Sequence, residues 1–247
     1  MKRVTIFAGH DKSNAPEGFE QIDLELGKLY TIVGSTGSGK SRLIKDIEQL
    51  ADGDSVTGRR IAIDGDIIPR KDRRHRSAHL IAHLSQNMRF VLDTSVDEFI
   101  RLHAQCRNRD IAVEDILAAT NRLTAEPVSG AHNLNQLSGG QTRALMIADI
   151  ALLCDSPIVL IDEIENAGID KEAALQLLLS RDKLVLVVTH DPHTALMAPK
   201  RIVMQGGAVT AVVERNEAET RLFDRLSQDY LRMRSMQQNL RQGVHLA

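Results

Sequence analysis

The chain has 247 residues, 43% hydrophobic and 26% charged, a balance that supports a folded core and excludes disordered, collagenous and disulfide-stapled classes. Lys+Arg total 31 and Asp+Glu 33, so a formal charge of -2 provides no global basic field for non-specific nucleic-acid binding. Aromatic rings are scarce, with five Phe, two Tyr and no Trp, so any ring-stacking role must draw on very few side chains.

Apolar bursts bounded by turn residues recur from the N-terminus onward. RVTIF (3–7), QIDLEL (21–26) and KLYTIVG (28–34) read as strands. SRLIKDIEQL (41–50) places Leu43, Ile44, Ile47 and Leu50 at helical spacing. RIAID (60–64) and HLIAHL (79–84) read as strands, and RKDRRHR (70–76) between them as a solvated basic loop. The four-residue spacing of His75, His79 and His83 puts His79 and His83 on one face, without a Cys or carboxylate to make a metal site. From 87 to 136 the pattern turns helical, with VDEFIRLHAQC (96–106) and VEDILAATNRL (113–123). PIVLID (157–162) and KLVLVVT (183–189) are unbroken apolar runs, as expected of strands covered on both faces, with the helix EAALQLLL (172–179) between them. RIVMQ-GG-AVTAVV (201–213) reads as a hairpin on Gly206-Gly207. From Asn216 to Arg241 the spacing predicts a long helix whose stripe, Leu222, Leu226, Tyr230, Met233 and Leu240, packs on its own domain. Strands alternating with helices predict an α/β core on a largely parallel sheet.

Cys106 and Cys154 lack metal-ligand spacing and suit a reducing compartment as small buried hydrophobes. The opening MKRVTIFAGHDKSN lacks the apolar stretch of a signal peptide. Apolar runs such as LVLVV (184–188) are far short of the roughly 20 residues a membrane span needs. Work at a membrane would therefore require docking onto another chain.

Gly34 to Ser41 reads GSTGSGKS, a G-x-x-x-x-G-K-[ST] motif between a predicted strand and a predicted helix. Backbone N–H groups that converge on phosphate oxygens need residues tolerant of unusual dihedrals, and the helix N-terminus adds partial positive charge. Lys40 can reach the β/γ-phosphates and the Ser41 hydroxyl can ligate Mg²⁺. In IVLIDE (158–163), Asp162 falls at the carboxyl end of a buried strand, where ligands bind in open α/β sheets, and can support Mg²⁺. Glu163 follows and can polarise an attacking water. LSGGQ (137–141) precedes the helical RALMIADIALL (143–153); its serine and glycines at a helix start offer a second anion site.

In this order the motifs resemble those of the ATP-binding cassette (ABC) ATPases, over about residues 3–214. Gln86 in LSQN resembles the family's Q-loop glutamine, His190 in VVTHD its switch histidine, and Ala167-Gly168-Ile169-Asp170 its D-loop. The resemblance implies an α/β P-loop NTPase core (1–86 and 138–214) with a mostly parallel sheet and N-terminal antiparallel strands. It also implies an inserted helical lobe (87–137) and a C-terminal helical tail (215–247), in one ABC domain spanning 1–247. It implies that Gly34, Ser35, Thr36, Gly37, Ser38, Gly39, Lys40, Ser41 and Arg42 bind ATP, with Ser41, Gln86 and Asp162 on Mg²⁺. Glu163, His190 and Lys40 would be catalytic. Ser138, Gly139, Gly140 and Gln141 would close the site from the opposite chain of a head-to-tail, ATP-dependent homodimer. Family members stack adenine on a ring upstream of the P-loop; Phe7 is the candidate here, with His10 the alternative.

The implied function is the ATPase subunit of a transporter, on the inner face of the cell membrane and bound to an integral permease, with NMRFVLDTSVDEF (87–99) shaping the docking groove. The rival is a soluble cassette ATPase of cofactor or iron–sulfur assembly or DNA transactions; nucleic acid is not the expected partner. A tandem two-cassette protein is excluded, since one P-loop and one LSGGQ are present. Where the family reads Asp-Glu-Pro-Thr-Ser-Ala-Leu-Asp, this chain reads DEIENAGID, without Pro and one residue longer.

Overall fold

A computed structural model describes residues 1–86 and 88–245, with the side chains of residues 166 and 167 excepted. Asn87, the first residue of the 87–99 stretch, lies outside the described residues, as do Leu246 and Ala247 of the tail and the Ala167 side chain of the D-loop motif.

Strands β1 (Arg3–Phe7), β2 (Gln21–Glu25), β4 (Arg60–Ile63) and β5 (Asp66–Ile67) form an antiparallel sheet ordered β2-β1-β4-β5. The second sheet is ordered β10-β9-β3-β8-β7-β6, from β3 (Leu29–Val33), β6 (Ile81–Leu84), β7 (Ile158–Asp162), β8 (Leu184–Val188), β9 (Lys200–Gln205) and β10 (Ala208–Glu214). It is parallel throughout except for the β9–β10 hairpin, which turns at Gly206-Gly207 as its sequence predicts. Every residue of β8 is buried, which explains its unbroken apolar run.

Helix α1 (Lys40–Glu48) follows β3, and α2 (Arg70–Leu80) precedes β6. Helices α3 (Val96–Cys106) and α4 (Val113–Leu123) form the helical lobe, and α5 (Gly139–Leu152) leads to β7. Helices α6 (Lys171–Leu179) and α7 (Pro192–Met197) flank β8, and α8 (Glu217–Arg241) ends the described chain. The run 142–151 in α5 is buried without a break: Ala144, Ile147 and Ile150 pack on the sheet, while Leu145 and Ala148 pack with α3 and α4. One helix, with apolar residues on opposite faces, thus serves both cores.

Four expectations need correction, the first being Cys106, which is exposed rather than a small buried hydrophobe, while Cys154 is buried. Residues 70–76 are helical rather than a loop, and the strand expected from His79 starts at Ile81. Every residue of α2 is at least partly exposed, so it shows no apolar period, while its Arg, Lys and Ala residues favour helix. His79 consequently meets His75 at 3.2 Å on the helix, and His83 sits apart on β6. The stripe expected to pack α8 on its own domain is correct only in part: Tyr230 docks and Leu226 is half-buried, but the rest is not the docked face. Leu222, Met233 and Leu240 are 40–60% exposed, whereas Phe223, Ser227, Tyr230 and Arg234 make the contacts.

Candidate functional site

The loop 34–39 joins β3 to α1. A Cβ on Gly34 (φ 154°) would lie 2.3 Å from the Met204 carbonyl oxygen, and one on Gly39 (φ 107°) 2.9 Å from Gly207 Cα. Only glycine lets this loop close against the β9–β10 hairpin. Lys40 is buried and curls back, its Nζ donating to the carbonyls of Gly34 (2.8 Å) and Ser35 (3.1 Å). Burial lowers its pKa, while the charge of Glu163 opposes the shift. Ser38 Oγ is buried without a hydrogen-bond partner among the described residues. Ser35, Thr36, Gly37, Ser41 and Arg42 are exposed on the same rim.

Asp162 and Glu163 stand at the carboxyl end of β7. The Asp162 carbonyl accepts from Arg143 Nη1 (3.2 Å), and Arg143 Nη2 donates to Ser85 O (2.7 Å). Asp162 Oδ2 lies 3.3 Å from His83 Nε2, and His83 Nδ1 lies 3.3 Å from Glu48 Oε1. The hydrogen bond with Asp162 raises the His83 pKa against the cost of burial, with help from Glu48. Glu163 Oε2 accepts from Gln86 Nε2 at 2.7 Å, and its Oε1 is 3.9 Å from His190 Nε2. Glu163 has left-handed backbone (φ 48°, ψ 63°), held by a 2.9 Å bond from its N–H to Val188 O. A non-glycine residue kept there stores strain of the kind that gathers at functional sites. Lys40, Gln86, Asp162, Glu163 and His190 are therefore brought to one edge of the sheet.

The LSGGQ segment lies apart from the phosphate loop. Ser138 caps α5 in a capping box: its Oγ accepts from Gln141 N–H (3.3 Å) and Gln141 Oε1 accepts from Ser138 N–H (2.9 Å). Gly139 and Gly140 line a cavity of about 580 Å³ with Gln86, Phe90 and Gly168; its described lining includes no residue of 34–42. Phe7 ends β1 with the Arg60 guanidinium 5.1 Å from its ring. His10 pairs with Pro16 in the following loop, whose Lys12 donates from Nζ to Gly37 O (2.6 Å) and from its backbone to Gly206 O (3.0 Å).

Sequence reasoning missed four residues here. Arg143 carried a signal, one of two charges, with Asp149, inside a largely apolar buried run. His83 shows in the sequence only its place in a four-residue spacing with His75 and His79. Glu165, whose Oε1 accepts from Thr189 Oγ1 (2.8 Å) and from His190 N–H (3.2 Å), shows its role only in three dimensions, and so does Lys12. The DEIENAGID segment forms a tight helical turn at Ile164–Ala167, followed by left-handed Gly168 (φ 66°).

The family model for ABC transporters matches residues 20–166. An uncharacterized ABC transporter ATP-binding protein of Methanocaldococcus jannaschii is 46% identical over 248 residues, covering 100% of this chain and 95% of that protein. The macrolide export ATP-binding/permease protein MacB of Salmonella typhimurium is 30% identical over 218 residues, covering 78% of this chain but 32% of MacB. Among solved structures, cbiO1 of Clostridium perfringens, described as part of the ABC transporter complex cbiONQ, superposes with a TM-score of 0.66 at 18% identity, covering 98% of this chain and all of that one. A cassette described as dimeric, in a post-hydrolysis state with ADP and Pi, gives 0.60 at 22% identity, covering 85% and 98%. These structural likenesses speak to fold, and the fold is that of the ABC ATPase P-loop domain. The chain belongs to the ABC transporter family of ATP-binding proteins.

Proposed function

We propose that this chain hydrolyses ATP as the nucleotide-binding subunit of a membrane transporter. The observation that carries the reading is the placement of the Glu163 carboxylate, between Gln86 at 2.7 Å and His190 at 3.9 Å and close enough to Lys40 to act on its charge. Loop 34–39, with Lys40, Ser41 and Arg42, would cradle the phosphates through backbone N–H groups and the α1 N-terminus. Its glycine-only approach and the unpartnered Ser38 hydroxyl fit a phosphate-binding loop. The Ser41 hydroxyl, Asp162 carboxylate and Gln86 amide oxygen are hard donors that suit Mg²⁺, which when bound neutralises charge on the β/γ-phosphates. Glu163 orients and deprotonates the attacking water, and His190 donates to the oxygens that gain charge. Phe7, or in its place His10, would offer the face for the base.

Since Gly139 and Gly140 open onto a different cavity from the P-loop, Ser138, Gly139, Gly140 and Gln141 would act on the nucleotide of a second copy in a head-to-tail homodimer. No described helix is long and apolar enough to cross a membrane, so coupling to transport would run through an integral permease. Met88, Val91 and Leu92, 41–94% exposed after Gln86, supply apolar contact area for it, at the inner face of the membrane. The relatives named as transporter components support this reading over a soluble cassette ATPase. Domain limits follow the family: core 1–86 and 138–214, helical subdomain 87–137, tail 215–247.

The test is Glu163→Gln. Phosphate release should fall by about a hundredfold or more while ATP binding persists. Size-exclusion in ATP should show a dimer that the wild type forms only transiently. A variant that stays monomeric and turns over normally would sink the assignment.

A further inference from the structure

Helix α8 grips the domain along one face, and that face meets the segments that follow Glu163 and His190. Arg234 Nη1 donates to Asp170 Oδ2, seven positions after Glu163. Asp170 is itself fixed, its Oδ1 capping α6 through Ala173 N–H (3.1 Å) and its own N–H donating to Leu123 O (2.8 Å). The ring of Tyr230 lies under the Lys171 ammonium (4.6 Å) and beside the Arg234 guanidinium (5.8 Å). Lys171 Nζ in turn donates to Asp191 Oδ2 (2.5 Å) and Thr194 Oγ1 (3.0 Å). Asp191 directly follows His190. Two residues further on, the buried ring of His193 lies between Phe223 (5.4 Å, 15° between planes) and Tyr230 (5.0 Å), with Nε2 3.0 Å from Ser227 Oγ.

Each of these contacts is polar, cationic or aromatic, and each falls on one of two segments. At its start α8 is also tied to β9 by the Glu219–Arg201 pair, and it is otherwise largely exposed, so its docking is not explained by covering an apolar core. The geometry points to a clamp: we propose that Tyr230 and Arg234 are positioning residues that hold the 163–171 segment and the 190–194 segment in one fixed relation. They act through Asp170, Lys171 and Asp191 and touch no reacting atom. Inside the clamp, Glu165 already ties Thr189 and the His190 backbone to the same segment. Tyr230 and Arg234 close the arrangement from outside, so that the Glu163 and His190 side chains keep their 3.9 Å approach. The proposal rests on the reading of Glu163 and His190 as the hydrolytic pair.

The test compares full-length wild type, Arg234→Ala, Arg234→Lys and Tyr230→Leu by steady-state ATP hydrolysis and by amide hydrogen exchange over 163–171 and 189–194. For Arg234→Ala and Tyr230→Leu, kcat should fall about tenfold with KM for ATP within about twofold, because loop alignment rather than the phosphate cradle is altered. Exchange in both segments should quicken by about tenfold, and Arg234→Lys should recover most of both. Wild-type kcat and exchange in Arg234→Ala would overturn the proposal; so would a lowered melting temperature with kcat unchanged, which would make α8 mere packing. If wild type itself shows no turnover, the hydrolytic reading fails separately, and exchange alone judges the clamp: unchanged protection removes it, quickened exchange in both segments supports it.

Discussion

Gln86 Nε2 donates a 2.7 Å hydrogen bond to Glu163 Oε2, linking the residues that follow the neighbouring parallel strands β6 and β7. A carboxylate at the edge of a sheet has many rotamers, and this bond selects one that also faces His190 at 3.9 Å. Gln86→Ala releases that choice. We expect kcat for ATP hydrolysis to drop about tenfold. Stability by urea denaturation should stay within about 0.5 kcal/mol, since Gln86 is surface-exposed.

The backbone of Glu163 leads to a second expectation. Its φ of 48° costs a residue with a Cβ more than it costs glycine. Glu163→Gly should therefore raise stability to denaturant by about 1 kcal/mol while abolishing turnover. A variant both inactive and less stable would show that Glu163 carries structure rather than strain.

Stability should also respond to acid through Asp191. Burial pushes its carboxyl up, but hydrogen bonds from Lys171 and Thr194 outweigh that and hold it down at about 2. A depressed carboxylate contributes stability that is complete above its unfolded value of 3.8 and is lost as pH falls through about 2. With solvent screening of a partly exposed group, the contribution is about 1 kcal/mol. Urea titrations at pH 5 and at successively lower pH should show wild type losing this increment and Asp191→Asn lacking it throughout.

Arg59 makes the sharpest stability prediction. Its guanidinium is fully buried, donating to Glu17 Oε2 (2.8 Å) and Oε1 (2.6 Å), to Asp46 Oδ2 (3.1 Å) and to Gly207 O (2.8 Å). Arg59→Met leaves two buried carboxylates without their counter-charge and should cost about 3–5 kcal/mol by denaturation. A double variant, Arg59→Met with Glu17→Gln, should recover part of that loss.

What could be read in advance follows a physical division. The strands of the parallel sheet are legible because burial on both faces demands apolar runs, as in 184–188. The phosphate loop is legible because its glycines answer to local backbone geometry. Helix α2 is not, because a helix solvated on every side leaves no period; β5 and α7 are too short to leave one. Of the docked face of α8 only Tyr230 follows from apolar spacing, because His193, Lys171 and Asp170 draw the rest by ring and charge contacts. Arg143, His83 and Glu165 join the site through partners 19 to 79 residues away, which no local pattern encodes.

The turn at Gly206-Gly207 has a consequence for how the protein is made. Gly207 N–H bonds to Ser38 O, Gly206 O receives Lys12 N–H, Gly207 O receives Arg59, and Val209 N–H reaches Glu17 across 192 residues. The rear wall of the phosphate loop is thus supplied by a hairpin that is synthesised well after the loop itself. Until that hairpin emerges the Arg59 network is incomplete and the loop unsupported, so the phosphate loop can be finished only after β9 and β10 are made.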